Sequence, residues 1–102
     1  FEFFGAPAAL FISIDRRMGA AQWADMGMYM QTIMLLAAEA GIDSCAQEIW
    51  SVWPKLCAKF FGWPKERMVF AAIALGHGDQ DAPVNRWRAE RAEWDDGVRC
   101  HA

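Results

Sequence analysis

Positive charge is in short supply: ten Lys and Arg against thirteen Asp and Glu leave a formal net charge of -3. That balance gives no general attraction to nucleic acid or to an anionic membrane surface, so any positive charge that matters must be local. Cysteine is scarce too. Cys45, Cys57 and Cys100 are an odd number without the close paired spacing of a zinc site or redox pair, and they read as ordinary thiols in a reducing cytoplasm. No apolar stretch reaches the roughly 20 residues that span a bilayer: residues 26–40 are interrupted by Gln31 and Glu39, and the N-terminus lacks a basic signal-peptide pattern. The expectation is a soluble, cytoplasmic protein with no nucleic-acid and no membrane partner. Internal repeats and low-complexity segments are also absent.

What the chain has in abundance is large apolar side chains. Of 102 residues, 55% are hydrophobic, with six Trp, seven Phe and six Met. The length fits one domain, residues 1–102, and at this size about 60 to 70% of the unfolded surface is buried on folding. So small a core does not readily hide so many large side chains, and part of the surface is expected to meet a partner. The chain opens on Phe1 with strand character following within a few residues, as though entered partway through a fold.

After the break at Gly5-Ala6-Pro7, residues 8–14 form a nearly continuous apolar run with β-branched and aromatic members, ended by Asp15-Arg16-Arg17, and read as a buried strand. From Ala20 to Ala40 the apolar positions Trp23, Met26, Met30, Ile33, Met34 and Ala37 follow helical spacing, and most positions between them are apolar as well. Such a helix is expected to be buried on more than one side, and Gly41 follows it as a C′ glycine would. Ile42 to Cys45 reads as a short extended link and residues 44–48 as a turn. Residues 49–61 return to helical spacing, with Pro54 either in a first turn or dividing two short helices. A turn at residues 62–67 precedes a second continuous apolar strand, residues 68–76, and an irregular tail. Pattern alone leaves the relative direction of the two strands open.

Chemistry is concentrated in two places. Arg86, Arg88 and Arg91 lie in a turn-rich tail after the second strand, where a planar guanidinium can bind two oxygens of a phosphate. If residues 85–91 are extended, Arg86 and Arg88 share a side; if helical, Arg88 and Arg91 share a face. The alternative is a solvated charged tail, since Glu90, Glu93, Asp95 and Asp96 are interleaved. The second place is the turn Ser44-Cys45-Ala46-Gln47-Glu48, whose backbone amides can face a pocket beside the sheet, or simply close an ordinary loop. His77 near Asp79 and Asp81 lacks a second histidine nearby and does not read as a metal site. Cys45 has no neighbouring histidine that would mark it as a nucleophile.

Taken in order, Phe4-Gly5-Ala6-Pro7 with its strand, Asp25-Met26-Gly27, Ala40-Gly41-Ile42-Asp43-Ser44-Cys45, Trp63-Pro64 and Asn85-Arg86-Trp87-Arg88-Ala89-Glu90-Arg91 resemble the C-terminal half of the FMN-dependent nitroreductase family. The resemblance implies an α+β fold, nitroreductase-like, with sheet strands flanking a long central helix. It also implies a homodimer with FMN at the subunit interface, taking hydride from NAD(P)H and reducing a nitroaromatic, quinone or similar small-molecule electron acceptor by ping-pong kinetics. Carried over by position, Arg91 and Arg88 would bind the FMN phosphate, while Gln47, Glu48 and Ile49 would lie against the ring. The long helix would form much of the dimer seam. The family's N-terminal segment, with its arginine-rich and serine-containing motif, has no counterpart in these residues. A different class of reading is therefore a non-catalytic dimeric module that keeps the fold without a complete flavin site.

Overall fold

The two apolar runs become strands, and a third joins them. In the computed structural model, which describes residues 2–93 and Gly97, β1 covers Ala8–Asp15, β2 Asp43–Gln47 and β3 Arg67–Gly76. Cys100, Asp95 and Asp96 lie outside the described residues. β3 occupies the centre of a three-stranded sheet, and both neighbours run antiparallel to it. Its composition explains that place. Val69, Ala71, Ala72, Ile73 and Ala74 are all buried, as a strand covered on both faces requires. Ile12 and Ile14 of β1 and Cys57 complete the buried apolar core.

β2 corrects the sequence reading. The segment expected as a link and turn is an edge strand, followed by a 3-10 turn over Glu48–Val52. Asp43-Ser44-Cys45-Ala46-Gln47 has no β-branched or aromatic residue, so local preference gives little sign of a strand; pairing with β3 supplies the structure.

The long helix α1, Ala20–Glu39, falls within its expected bounds. At its start the Gln22 side-chain oxygen accepts the Gly19 N–H at 3.0 Å. At its end Gly41 takes φ 74°, and the N–H groups of Gly41 and Ile42 donate to the carbonyls of Ala38 and Ala37 at 3.0 and 2.9 Å. That pair of bonds is the Schellman closure, which satisfies carbonyls the helix would otherwise leave open. Burial differs from expectation: no residue of α1 is buried, and Met28, Tyr29, Leu35 and Leu36 are each more than half exposed. A cavity of about 240 Å³, lined by residues including Leu10, Ile12, Met26 and Ile33, remains between β1 and the helix. The three strands are hydrogen-bonded neighbours, and α1 packs beside them. The described residues do not supply the surface so apolar a helix needs.

The second helix, α2, spans Pro54–Phe61 with Pro54 in its first turn and ends at Gly62, φ 65°. It brings Phe61 onto an aromatic layer over the sheet. Phe11, Ala72 and Gln47 are paired across the three strands in one row. The small Ala72 leaves room for rings above it: Trp50 lies 5.1 Å from Phe11, Phe11 lies 4.8 Å from Phe61, and Phe61 stacks on Trp63 at 4.9 Å. The accessible surface totals 8417 Å². A compact monomer of 11.5 kDa exposes about 5,800 Å², so this chain leaves far more surface uncovered than its mass requires.

Candidate functional site

Where β2 stops and the 3-10 turn begins, the edge of the sheet becomes concave. Residues 2–5 and 45–49 line a cavity of about 760 Å³ there. Among the described residues no strand pairs with β2 on its outer side, so part of its backbone hydrogen-bonding capacity faces away from β3. Gln47, Glu48 and Ile49, expected against a cofactor ring, all line this cavity.

Gln47 is the buried polar residue of the site, 7% exposed. The Trp50 indole donates its N–H to Gln47 Oε1 at 3.0 Å. An indole nitrogen can only donate, so the amide oxygen must face it and the amide orientation is fixed. Gln47 Nε2 is then left buried without a hydrogen-bond partner among the described residues. Across the cavity Phe3 and Phe4 have φ of 49° and 56°. This left-handed conformation costs a non-glycine residue on the order of 1 to 3 kcal/mol. Ring contacts help hold Phe3 in place: it stacks on Trp50 at 4.8 Å and meets Phe11 edge-on at 5.7 Å.

The two described cysteines differ. Cys45 is exposed at the cavity and Cys57 is buried, both as free thiols. Cys57 Sγ lies 3.8 Å from the Trp50 carbonyl, and burial pushes its thiol above its ordinary range.

The arginine tail is tied to β2 by the Asp43 carboxylate, which accepts the Gly78 N–H at 2.7 Å. Pro83–Arg86 forms a single helical turn and residues 87–93 have no regular structure, so neither the extended nor the helical alternative holds over the whole of 85–91. Arg86 pairs with Asp81 at 3.1 Å. Arg88 Nη1 donates to the carbonyls of Asn85 and Trp87 at 2.8 and 3.1 Å, and Arg91 is exposed. Neither Arg88 nor Arg91 lines the cavity that holds Gln47, Glu48 and Ile49. Among the described residues no group of three or more His, Cys, Asp or Glu side chains is placed to hold a metal. None of the described helices is long and apolar enough to cross a membrane. Sequence reasoning did not single out Phe3, Phe4 or Trp50 for this site; the one available signal is the aromatic run directly before Gly5-Ala6-Pro7.

Residues 1–77 match the Nitroreductase family. The chain belongs to that family. Among its curated relatives are a chloronitrobenzene nitroreductase of Comamonas testosteroni, 36% identical over 93 residues, and a 4-nitrobenzoate reductase of Pseudomonas putida, 33% identical over 91 residues. These alignments cover 91% and 89% of this nitroreductase-family chain but only 41% and 40% of the relatives, so the chain spans about 40% of their length. Among solved structures, the FMN and NADPH-dependent nitroreductase NfnB from sphigopyxis sp. strain HMH is 41% identical with a TM-score of 0.91, covering 97% of this chain and 44% of that one. The FMN-dependent NfnB from Mycobacterium smegmatis, in complex with NADPH, is 31% identical with a TM-score of 0.92, covering 98% and 45%. These neighbours and the mixed helices and strands described above make the nitroreductase-family chain an α+β protein.

The residues at the cavity suit a flavin ring. Phe3, Phe4 and Ile49 provide apolar lining, the edge strand provides backbone groups, and Gln47 Nε2 is a donor with no acceptor among the described residues. The phosphate end is less well provided for, because Arg88 and Arg91 stand outside the cavity.

Proposed function

We propose that this chain is a single domain corresponding to the C-terminal half of an FMN-dependent NAD(P)H oxidoreductase of nitroreductase type, acting as a homodimer in the cytoplasm. The observation that carries the reading is the convergence of Gln47, Glu48 and Ile49 on one cavity at the sheet edge, in a chain whose solved neighbours are named for FMN and NADPH. When bound, FMN would supply the redox chemistry, with NAD(P)H as hydride donor and a nitroaromatic, quinone or similar acceptor served in separate half-reactions, a ping-pong scheme. Residues 47–49 orient the ring through backbone and side-chain groups, and Phe3 and Phe4 keep water from one side of it. Arg88 and Arg91 offer guanidinium forks to the phosphate. A second copy packed on α1 covers Met28, Tyr29, Leu35 and Leu36 and makes that helix central to the dimer; the large uncovered surface supports this arrangement.

A second reading has its own support. The position of Arg88 and Arg91 outside the cavity, and a span of about 40% of the relatives' length, favour a dimeric module that keeps the fold without binding flavin. A visible absorption spectrum, taken before and after adding FMN and removing the excess, separates the two. A retained stoichiometric flavin band is the expected result; a folded dimer that retains none supports the module. With flavin bound, Arg91→Ala is expected to weaken FMN binding by about 1.5 to 3 kcal/mol, as for a charged hydrogen bond.

A further inference from the structure

The arrangement of Gln47 holds more than a place in the cavity wall. Its amide oxygen is committed to the Trp50 indole, and Trp50 is itself held by the rings of Phe3 and Phe11. The opposite end, Nε2, presents two N–H donors in a place water does not reach, with no acceptor among the described residues. A buried donor left unpaired is a persistent destabilisation, and reversing the amide would only turn the donor toward another donor, the indole N–H. The group is thus fixed as a donor.

From this geometry we infer that Gln47 Nε2 is the hydrogen-bond donor for an sp² acceptor atom of the molecule occupying the 760 Å³ cavity. The inference rests on the flavin reading above and assigns to this side chain a role separate from that of the nearby backbone. Two sources carry the chemistry it selects: a carbonyl oxygen or ring nitrogen of the flavin, and a nitro oxygen of the electron acceptor. Both are planar, accept without donating, and complete the pairing of a fixed carboxamide. Access requires the wall beside the amide to yield. Phe4, a wall residue with φ of 56° and 89% exposed, has an unfavourable backbone conformation and little burial to lose, so its displacement uncovers the amide while the Phe3–Trp50 stack stays in place.

The test uses two variants of the full chain. Gln47→Leu removes donor and acceptor together. Gln47→Glu keeps an oxygen for Trp50 but places an acceptor where the donor was, and so remains informative should the leucine variant fail to fold. FMN affinity is read from quenching of flavin fluorescence, and 4-nitrobenzoate binding to the oxidised protein from the difference spectrum of its flavin. The expected result is at least about a tenfold weakening of one of them in both variants, the size of one lost hydrogen bond to a buried partner. Weakened FMN binding identifies the flavin as the source, and weakened nitrobenzoate binding with FMN affinity intact identifies the acceptor. Unchanged binding of both ligands to a folded variant overturns the inference while leaving the flavin reading in place. A wild-type chain that retains no FMN overturns both.

Discussion

At the scale of single residues, environment separates groups that composition treats alike. Cys45 is exposed, whereas Cys57 is buried with its thiol pushed upward by burial, so the two differ in access and burial further lowers the reactivity of Cys57. Brief iodoacetamide treatment of the native protein, followed by peptide mass mapping, is expected to label Cys45 and spare Cys57; equal labelling would contradict the burial of Cys57. Asp15 is a second case. The Arg17 side chain and its backbone N–H both donate to the Asp15 carboxylate, at 2.6 to 2.9 Å, and hold it well below the usual carboxylate range. A carboxyl whose folded value is depressed contributes its stability above the unfolded value of about 3.9 and loses it as pH falls through the folded value. The contact is therefore intact at neutral pH and fails only in strong acid. An NMR titration should find Asp15 still ionised near about pH 3, where an unpaired Asp is mostly protonated. The effect on global stability is small because Arg17 is 80% exposed and the pair is open to solvent.

At the scale of elements, two glycines show where the backbone tolerates no side chain, for different reasons. Gly41 closes α1 at φ 74°, so Gly41→Ala is expected to destabilise the fold by about 1 to 2 kcal/mol in urea unfolding through left-handed strain alone. Gly76 has an ordinary backbone but meets Pro7: a Cβ there would stand 2.8 Å from the Pro7 Cδ, within a rigid ring. Gly76→Ala should cost about 1 to 3 kcal/mol by overpacking, and Pro7→Ala should relieve part of it in the double variant. The same elements show how much the sequence discloses. β3 is legible because a run from Met68 to Gly76 without a charged residue suits a strand covered on both faces, and α1 because its spacing ends at a glycine that matches the observed closure. β2 is not legible, because five small or polar residues become a strand only by pairing with β3. Within the candidate site, proximity in sequence makes residues 47–49 a visible group, whereas the contacts of Phe3 with Trp50 span more than forty positions and leave no local trace. The arginines illustrate the converse: close spacing of Arg86, Arg88 and Arg91 did not place them in the lining of the cavity that holds residues 47–49.

At the scale of the whole molecule, the apolar surface of α1 is the dominant feature. If the proposed dimer seats on α1, Leu36→Glu, which places a charge at a position 58% exposed in the single chain, raises its dissociation constant at least about tenfold, measured by sedimentation velocity across a concentration series. A dimer of unchanged affinity would move the seam away from this face. The sheet carries a further consequence. With β3 central, no strand among the described residues pairs with the outer edge of β1, which is eight residues long, and from Ala8 to Ile14 that edge contains no charge and no proline. Charges, prolines and bulges are the usual guards against edge-to-edge addition; here only the register shift after Ile12 interrupts the edge. Newly made chains therefore face a kinetic competition between burying this edge and strand-to-strand aggregation, so slow folding should appear first as poor recovery of protein.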